Sequence, residues 1–265
     1  MKQIFLLTIL AFELFGAVIK SPIVAVDNDN ETAKIKIDKI DVGVSGFIVH
    51  QISPAHSAIL KNAVVQSFDK ATQTATIKMS PFHALQNDAL PHGKWKVQVG
   101  DTVELAFGYS RSLLIAPNET IYYKIARSVK TQWIHPDLFA TVLSFRGHPT
   151  PQKADFRAMA NASSVGLLFI YLNQKVYTID IKSFKILSIS DAKLKQTKVH
   201  LPFYTRVKKI DADWWGAGSS RMDSYAPHYY ELLVENNKTN KKLYEIIKNG
   251  NPKLHYLLDE FTIGK

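Results

Sequence analysis

The chain has 265 residues, 46% of them hydrophobic, and a formal charge of +10. That length and composition exclude a disordered chain and allow one large packed domain or two small ones. The lack of cysteine excludes disulfides, thiolate metal sites and a lipidated cysteine, so a core alone must hold the protein.

Residues 1–17 carry Lys2, an apolar run from Ile4 to Phe12, then Gly16 and Ala17. That is the layout of a secretory signal peptide, and the run is too short to span a bilayer. No later run is long and uncharged enough for a membrane span. The expectation is an exported protein at the cell surface or outer membrane, or in the periplasm. A basic exported chain meets anionic surfaces, and nucleic acid is not among its expected partners.

From residue 18 the text reads as short strands. Residues 23–26 form one, and 27–30 a polar turn. Residues 32–40 alternate Ala33, Ile35 and Ile37 with Lys34, Lys36 and Lys39, a half-buried strand with lysines outward. Strands follow at 45–52, within 57–69 and at 74–79, then a loop or short helix over 81–91. Val99-Gly100-Asp101 is a tight turn feeding a strand over 102–109. A further strand covers 112–116. Close strand spacing of this kind predicts a barrel-like N-terminal part over 18–116.

Helical patterns then appear. Asn118 is an N-cap for a helix carrying Ile121, Ile125 and Val129. His135-Pro136-Asp137 opens a second helix, with Leu138, Val142 and Phe145 read as its inward face and Gly147 as its stop. A third helix buries Phe156 and Met159. Strands at 166–172, 176–181 and 184–189 form a hairpin group. This gives an α/β part over 117–191, and an α+β fold for the chain. Residues 192–265 are mixed: a strand pair or extended arm over 199–210, a loop with Trp214 and Trp215, and short helices over 229–235, 241–248 and from Asn251 onward.

The chemistry-bearing residues are sparse. Nine histidines show no i, i+4 pair for a helical metal site, although His50 and His56 could approach across a turn. No nucleophile elbow, phosphate loop or dinucleotide fingerprint occurs. Asp211 and Asp213 fit either a cation beside a sugar phosphate or a solvated turn. Trp214 and Trp215 with Tyr225, Tyr229 and Tyr230 form an aromatic patch that could stack a sugar, hold a cation, or cover a core. No cofactor, metal or catalytic residue is expected.

An ordered set of segments is similar to one family. It comprises Ser45-Gly46-Phe47-Ile48-Val49-His50, Val99-Gly100-Asp101, residues 109–118 and 133–140, Gly147-His148-Pro149-Thr150-Pro151, Asp155-Phe156, Val165-Gly166-Leu167 and residues 180–187. In that order it resembles the N-terminal domain of bacterial surface plasminogen-binding proteins, over about residues 20–230. The resemblance implies a non-enzymatic surface protein that captures host plasminogen through lysines seated in kringle modules. Lys265 offers an ammonium and a carboxylate on one residue and is the leading ligand, with Lys208, Lys209, Lys241 and Lys242 behind it. The alternatives are an envelope assembly protein with no host ligand, and a polysaccharide-acting enzyme using Asp211, Asp213 or the Trp pair.

Overall fold

A computed structural model describes residues 17–82, 95–196 and 198–263. The signal-peptide reading except for Ala17, most of the loop at 81–91, and Lys265 lie outside the described residues. The fold is α+β and divides into two compact units that meet in sequence at Tyr109 and Ser110.

The first unit is a closed barrel of six strands: β1 (Ile19–Asp27), β2 (Thr32–Lys36), β3 (Ser45–Ser53), β4 (His56–Asp69), β5 (Thr74–Pro81) and β6 (Thr102–Leu105), in the order β1-β2-β5-β4-β3-β6. Alternation puts Ile35, Ile48, Ile77 and Val103 fully inside. β6 closes the barrel by pairing with both β1 and β3, so that Leu105 lies opposite Ile19 and Gly46. Gly46 is required there, because a Cβ would stand 1.9 Å from the Glu104 carbonyl oxygen. The turn at Gly100 (φ +95°) is capped as expected, with Asp101 accepting from Gln98 N at 2.9 Å and from His50 Nδ1 at 2.7 Å. β6 is shorter than the strand predicted over 102–109. The backbone leaves extended geometry at Ala106 (φ +59°) and Gly108 (φ +78°), which apolar character alone does not signal.

The second unit is a five-stranded mixed sheet with helices. Its elements are β7 (Arg111–Ile115), α1 (Glu119–Ser128), β8 (Gln132–Ile134), α2 (Pro136–Phe145), α3 (Lys153–Ser163), β9 (Leu167–Leu172), β10 (Lys175–Asp180), β11 (Ile186–Asp191), α4 (Tyr225–Asn236) and α5 (Lys241–Lys248), closed by a 3-10 helix at Pro252–Glu260. Strand order is β11-β10-β9-β7-β8, with β7 parallel to both β8 and β9. All six residues of β9 are buried, as a continuous apolar run in a sheet covered on both faces must be. One face carries Leu113, Ile115, Leu168 and Ile170 into a core shared with Phe139, Phe156, Phe184 and Phe203. Phe139 anchors that core, its ring centroid 4.6 Å from Phe156 and 5.4 Å from Phe203. Towards the other face, Trp133 packs edge-on against Phe169 and donates its indole N–H to Ala126 O of α1.

Helix starts follow the sequence closely. Asn118 Oδ1 accepts from Ile121 N at 3.0 Å, and His135 Nδ1 accepts from Asp137 N at 3.2 Å with Pro136 in the first turn. The inward face of α2 is only in part the predicted one: Val142 is half-buried against the core, but the other two positions are not. Phe139, Ala140 and Leu143 are buried, whereas Leu138 is 54% and Phe145 93% exposed. Both triplets recur at helical spacing; the core selected the stripe holding the residue able to stack between Phe156 and Phe203.

The motif Gly147-His148-Pro149-Thr150-Pro151 with Asp155 is a clasp. The fully buried Asp155 carboxylate accepts from Arg146 Nε (2.6 Å), His148 Nδ1 (2.8 Å) and Gln152 N (2.7 Å). The turn is thereby locked between α2 and α3.

Candidate functional site

The described residues of 192–213 form neither strand nor helix. They are an extended arm, one of the two readings the sequence allowed. Between residues 192 and 210 the chain holds six Lys or Arg and no Asp or Glu. Such a segment buries little of itself and must be tied down by other elements.

The ties are specific. The arm first crosses the carboxyl end of β7, where His200 N and Tyr204 N donate to Pro117 O and Ala116 O at 2.7 and 2.8 Å. Phe203 is fully buried beneath it, and Tyr229 Oη donates to Pro202 O at 2.9 Å. It then follows α2. Asp137 accepts from Thr205 Oγ1 (2.8 Å), Arg206 N (2.8 Å) and Arg206 Nε (2.6 Å). Partial burial alone would raise the Asp137 pKa, but these donors outweigh it and hold the carboxyl below the usual carboxylate range. At the penultimate residue of α2, Ser144 Oγ donates to Asp211 Oδ2 and accepts from Asp211 N. Asp213 N donates to Gly147 O at 3.0 Å. Gly147 has φ +66°, and a Cβ on it would lie 2.2 Å from Asp213 Cγ.

This path sets the lysines. Lys208 and Lys209 stand exposed on the arm beside α2, and Lys209 Nζ lies 3.2 Å from Asp211 Oδ1 with both groups open to water. An exposed pair of that kind contributes little and leaves the ammonium exchangeable. Lys241 and Lys242 open α5, both exposed. Lys242 Nζ donates to Ile189 O at 3.0 Å and rims a cavity of about 370 Å³ with Lys175, Tyr230 and Asn249. The two pairs sit on different elements, so the structure does not gather them into one constellation. Not every lysine is presented in this way. Lys153 and Lys185 turn inward to the side chain and backbone oxygens of Asn236, and burial pushes the Lys153 pKa down to about 8.

The other candidates separate. Asp211 is held below the usual carboxylate range, first by Lys209 and then by Ser144, which makes it a poor proton donor at neutral pH. His50 turns to Asp101 and His56 to Ser53, and no group of three possible ligands that could hold a metal occurs among the described residues. The aromatic patch does not assemble. Tyr225, Tyr229 and Tyr230 are core residues, whereas Trp214 is fully and Trp215 87% exposed. The reading of the Trp pair as cover for a core is corrected, because its loop is pinned at Asp213 and Gly218 and holds both rings off the protein. Sequence reasoning missed Asp137 as the hub of the arm. It shows in the sequence only as a first-turn acid, and its partners are 68 and 69 residues away.

No helix among the described residues is long and apolar enough to cross a membrane. Comparison with known proteins places the chain. The family described as plasminogen-binding protein pgbA N-terminal matches residues 18–233. Plasminogen-binding protein PgbA of Helicobacter pylori strain J99 is 28% identical over 218 residues, covering 80% of this chain and 47% of its own length. The PgbA of strain 26695 is likewise 28% identical, with 80% and 46% covered. The chain thus spans about half the length of the curated relatives it matches. No solved structure matches it. By a match that takes in the whole barrel and most of the second unit, the chain belongs to the family of the PgbA N-terminal domain.

Proposed function

We propose that this chain is an exported, non-enzymatic cell-surface protein that binds host plasminogen through lysine side chains taken up by kringle modules. The reading is supported by membership of a family whose relatives are named for plasminogen binding. The single structural observation behind it is the arm, which holds Lys208 and Lys209 clear of the core on a backbone fixed at Asp137, Ser144 and Gly147. A kringle pocket needs an ammonium that can leave its own protein, and an ion pair in open water does not prevent that. Lys241 and Lys242 are the second set. Lys265 is kept as a candidate ligand beside these pairs. Lys153 and Lys185 are excluded as ligands by their bonds to Asn236.

The test is binding to immobilised plasminogen with and without a soluble lysine analogue. Capture should be competed away, and it should weaken stepwise in a variant lacking Lys265, in K208A/K209A and in K241A/K242A. Capture that the analogue does not touch would overturn the lysine reading. Protease treatment of intact cells tests the location: a surface protein is cleaved, a periplasmic one is protected.

A further inference from the structure

We infer that the aromatic tip made by Phe145, Trp214 and Trp215, flanked by Lys208 and Lys209, docks on an anionic lipid headgroup surface. The inference stands apart from plasminogen capture and rests on three observations.

The first is exposure without slack. Phe145, Trp214 and Trp215 are 93%, 100% and 87% exposed. Large aromatic rings are normally buried, at least in part, in a free protein. Here the backbone holds them out. Asp213 N is bonded to Gly147 O, Thr150 N to Gly218 O and Thr150 Oγ1 to Ser220 O, so the Trp loop is tied down on both sides. Its anchor, residues 147–150, is locked in turn by the buried Asp155.

The second is placement. Asp137 and Ser144, seven residues apart on α2, bind the arm, whereas Leu138 and Phe145 lie one position round and are exposed. Helix geometry therefore sets the Leu138–Phe145 stripe about 100° round from the stripe that carries the arm, which leaves it uncovered by the arm. Phe145 is two residues from Gly147, to which the Trp loop is bonded. Phe145, the last residue of α2, and the Trp loop bonded two residues further on therefore share the C-terminal end of that helix, where the arm also ends.

The third is charge. The arm leading into the Trp pair has six cations, against Asp211 and Asp213 following it. Asp137 takes up Arg206, and Asp211 is bonded to Ser144 as well as Lys209. Indole rings settle at the headgroup level of a bilayer, and neighbouring lysines add attraction to anionic lipids. A sugar would instead want a cleft with spare carboxylates around the ring. The adjacent cavity of about 350 Å³ does hold two carboxylates, Asp223 and Glu231, beside Arg221, but neither Trp is among its walls, so no indole face stands over them.

The experiment is co-sedimentation of the purified chain with phosphatidylglycerol-containing vesicles and with pure phosphatidylcholine vesicles. The expected result is binding to the anionic vesicles that falls with salt, and quenching of Trp fluorescence by brominated lipid. W214A/W215A should lower the binding about tenfold or more, and K208E/K209E should abolish the preference for anionic vesicles. These side chains are exposed, so folding should survive; F145A supplies a separate arm. No sedimentation with anionic vesicles, or unchanged binding by W214A/W215A, overturns the proposal. So does concentration-dependent self-association that the Trp variant abolishes, or quenching by soluble glycan in place of lipid. Plasminogen capture measured without lipid should be the same in W214A/W215A as in the parent, which keeps the two failures distinguishable.

Discussion

The carboxylate of Asp137, in the first turn of α2, accepts from both the backbone amide and the guanidinium of Arg206, at 2.8 and 2.6 Å. One acid thus joins a helix start to an arm 69 residues later. D137N keeps the size and loses the charge, and two of the three arm contacts weaken. The expected loss is about 1–2 kcal/mol of unfolding free energy at pH 7, since charge-assisted bonds are strong but this site is partly open. The folded pKa is lowered, so the stabilisation is present above the ordinary carboxylate pKa of about 4 and disappears as pH falls through the folded value. Urea midpoints of parent and variant should differ at pH 7 and converge as the pH falls below the ordinary carboxylate range.

Gly147 makes a second prediction. Alanine there meets a left-handed backbone (φ +66°) and a Cβ position 2.2 Å from Asp213 Cγ. The backbone term alone costs roughly 1–2 kcal/mol. G147A should lower the melting temperature and free the end of the arm, seen as faster trypsin cleavage after Lys208 and Lys209. Adding D213A should recover only part of the loss, since the Asp213 backbone N still stands 2.7 Å from the added Cβ and the left-handed backbone is unchanged.

Asp155 is the structural acid of the clasp. It is fully buried, with Arg146, His148 and the Gln152 amide as donors. D155N leaves Arg146 facing a neutral acceptor and presents an NH2 where three donors converge. A loss of about 3 kcal/mol is expected in urea unfolding, in the range for breaking a buried charged pair. Thr150 ties this clasp to Gly218 and Ser220, so the Trp loop should loosen as well, seen as faster hydrogen exchange at the Thr150 and Asp213 amides that tie it down.

Local signals in the sequence carried well where local chemistry decides the outcome. Asn118 caps α1, His135 and Pro136 open α2, and Asp101 caps the Gly100 turn, each through a bond within three residues. The barrel strands were legible because Ala33, Ile35 and Ile77 alternate against lysines. What was not legible depends on distant partners. α2 offers two apolar stripes, and only Phe203, from the arm, shows why Phe139 rather than Phe145 turns inward. The Trp pair reads as a core cover until the bonds from Gly147 and Thr150 to the loop are known. Lysine is the hardest case, since Lys153 and Lys208 look alike in sequence. Only the Asn236 oxygens separate a committed ammonium from a presented one.

That commitment gives the last prediction. Lys153 Nζ donates to Asn236 Oδ1 near the end of α4, and burial first, then Arg157, lowers its pKa to about 8. The folded pKa lies below the unfolded value of about 10.4. Between these two pH values the unfolded chain binds more protons than the folded one, so stability rises with pH across that window. Below pH 8 the folded protein carries the full cost of holding a charged ammonium there. K153M removes the charge and keeps an apolar stem of similar length, while Asn236 retains its bond to Leu232 O. The variant should therefore be more stable than the parent at pH 7, and the difference should shrink from pH 8 to pH 10. Lys182 and Lys185 also have lowered values through burial, so the parent will keep some of this slope in K153M, and only the change between the two proteins reports Lys153. Chemical unfolding at pH 7, 8.5 and 10 measures it. A difference that is constant with pH would mean that Lys153 keeps an ordinary pKa and that its contact with Asn236 is made in open water.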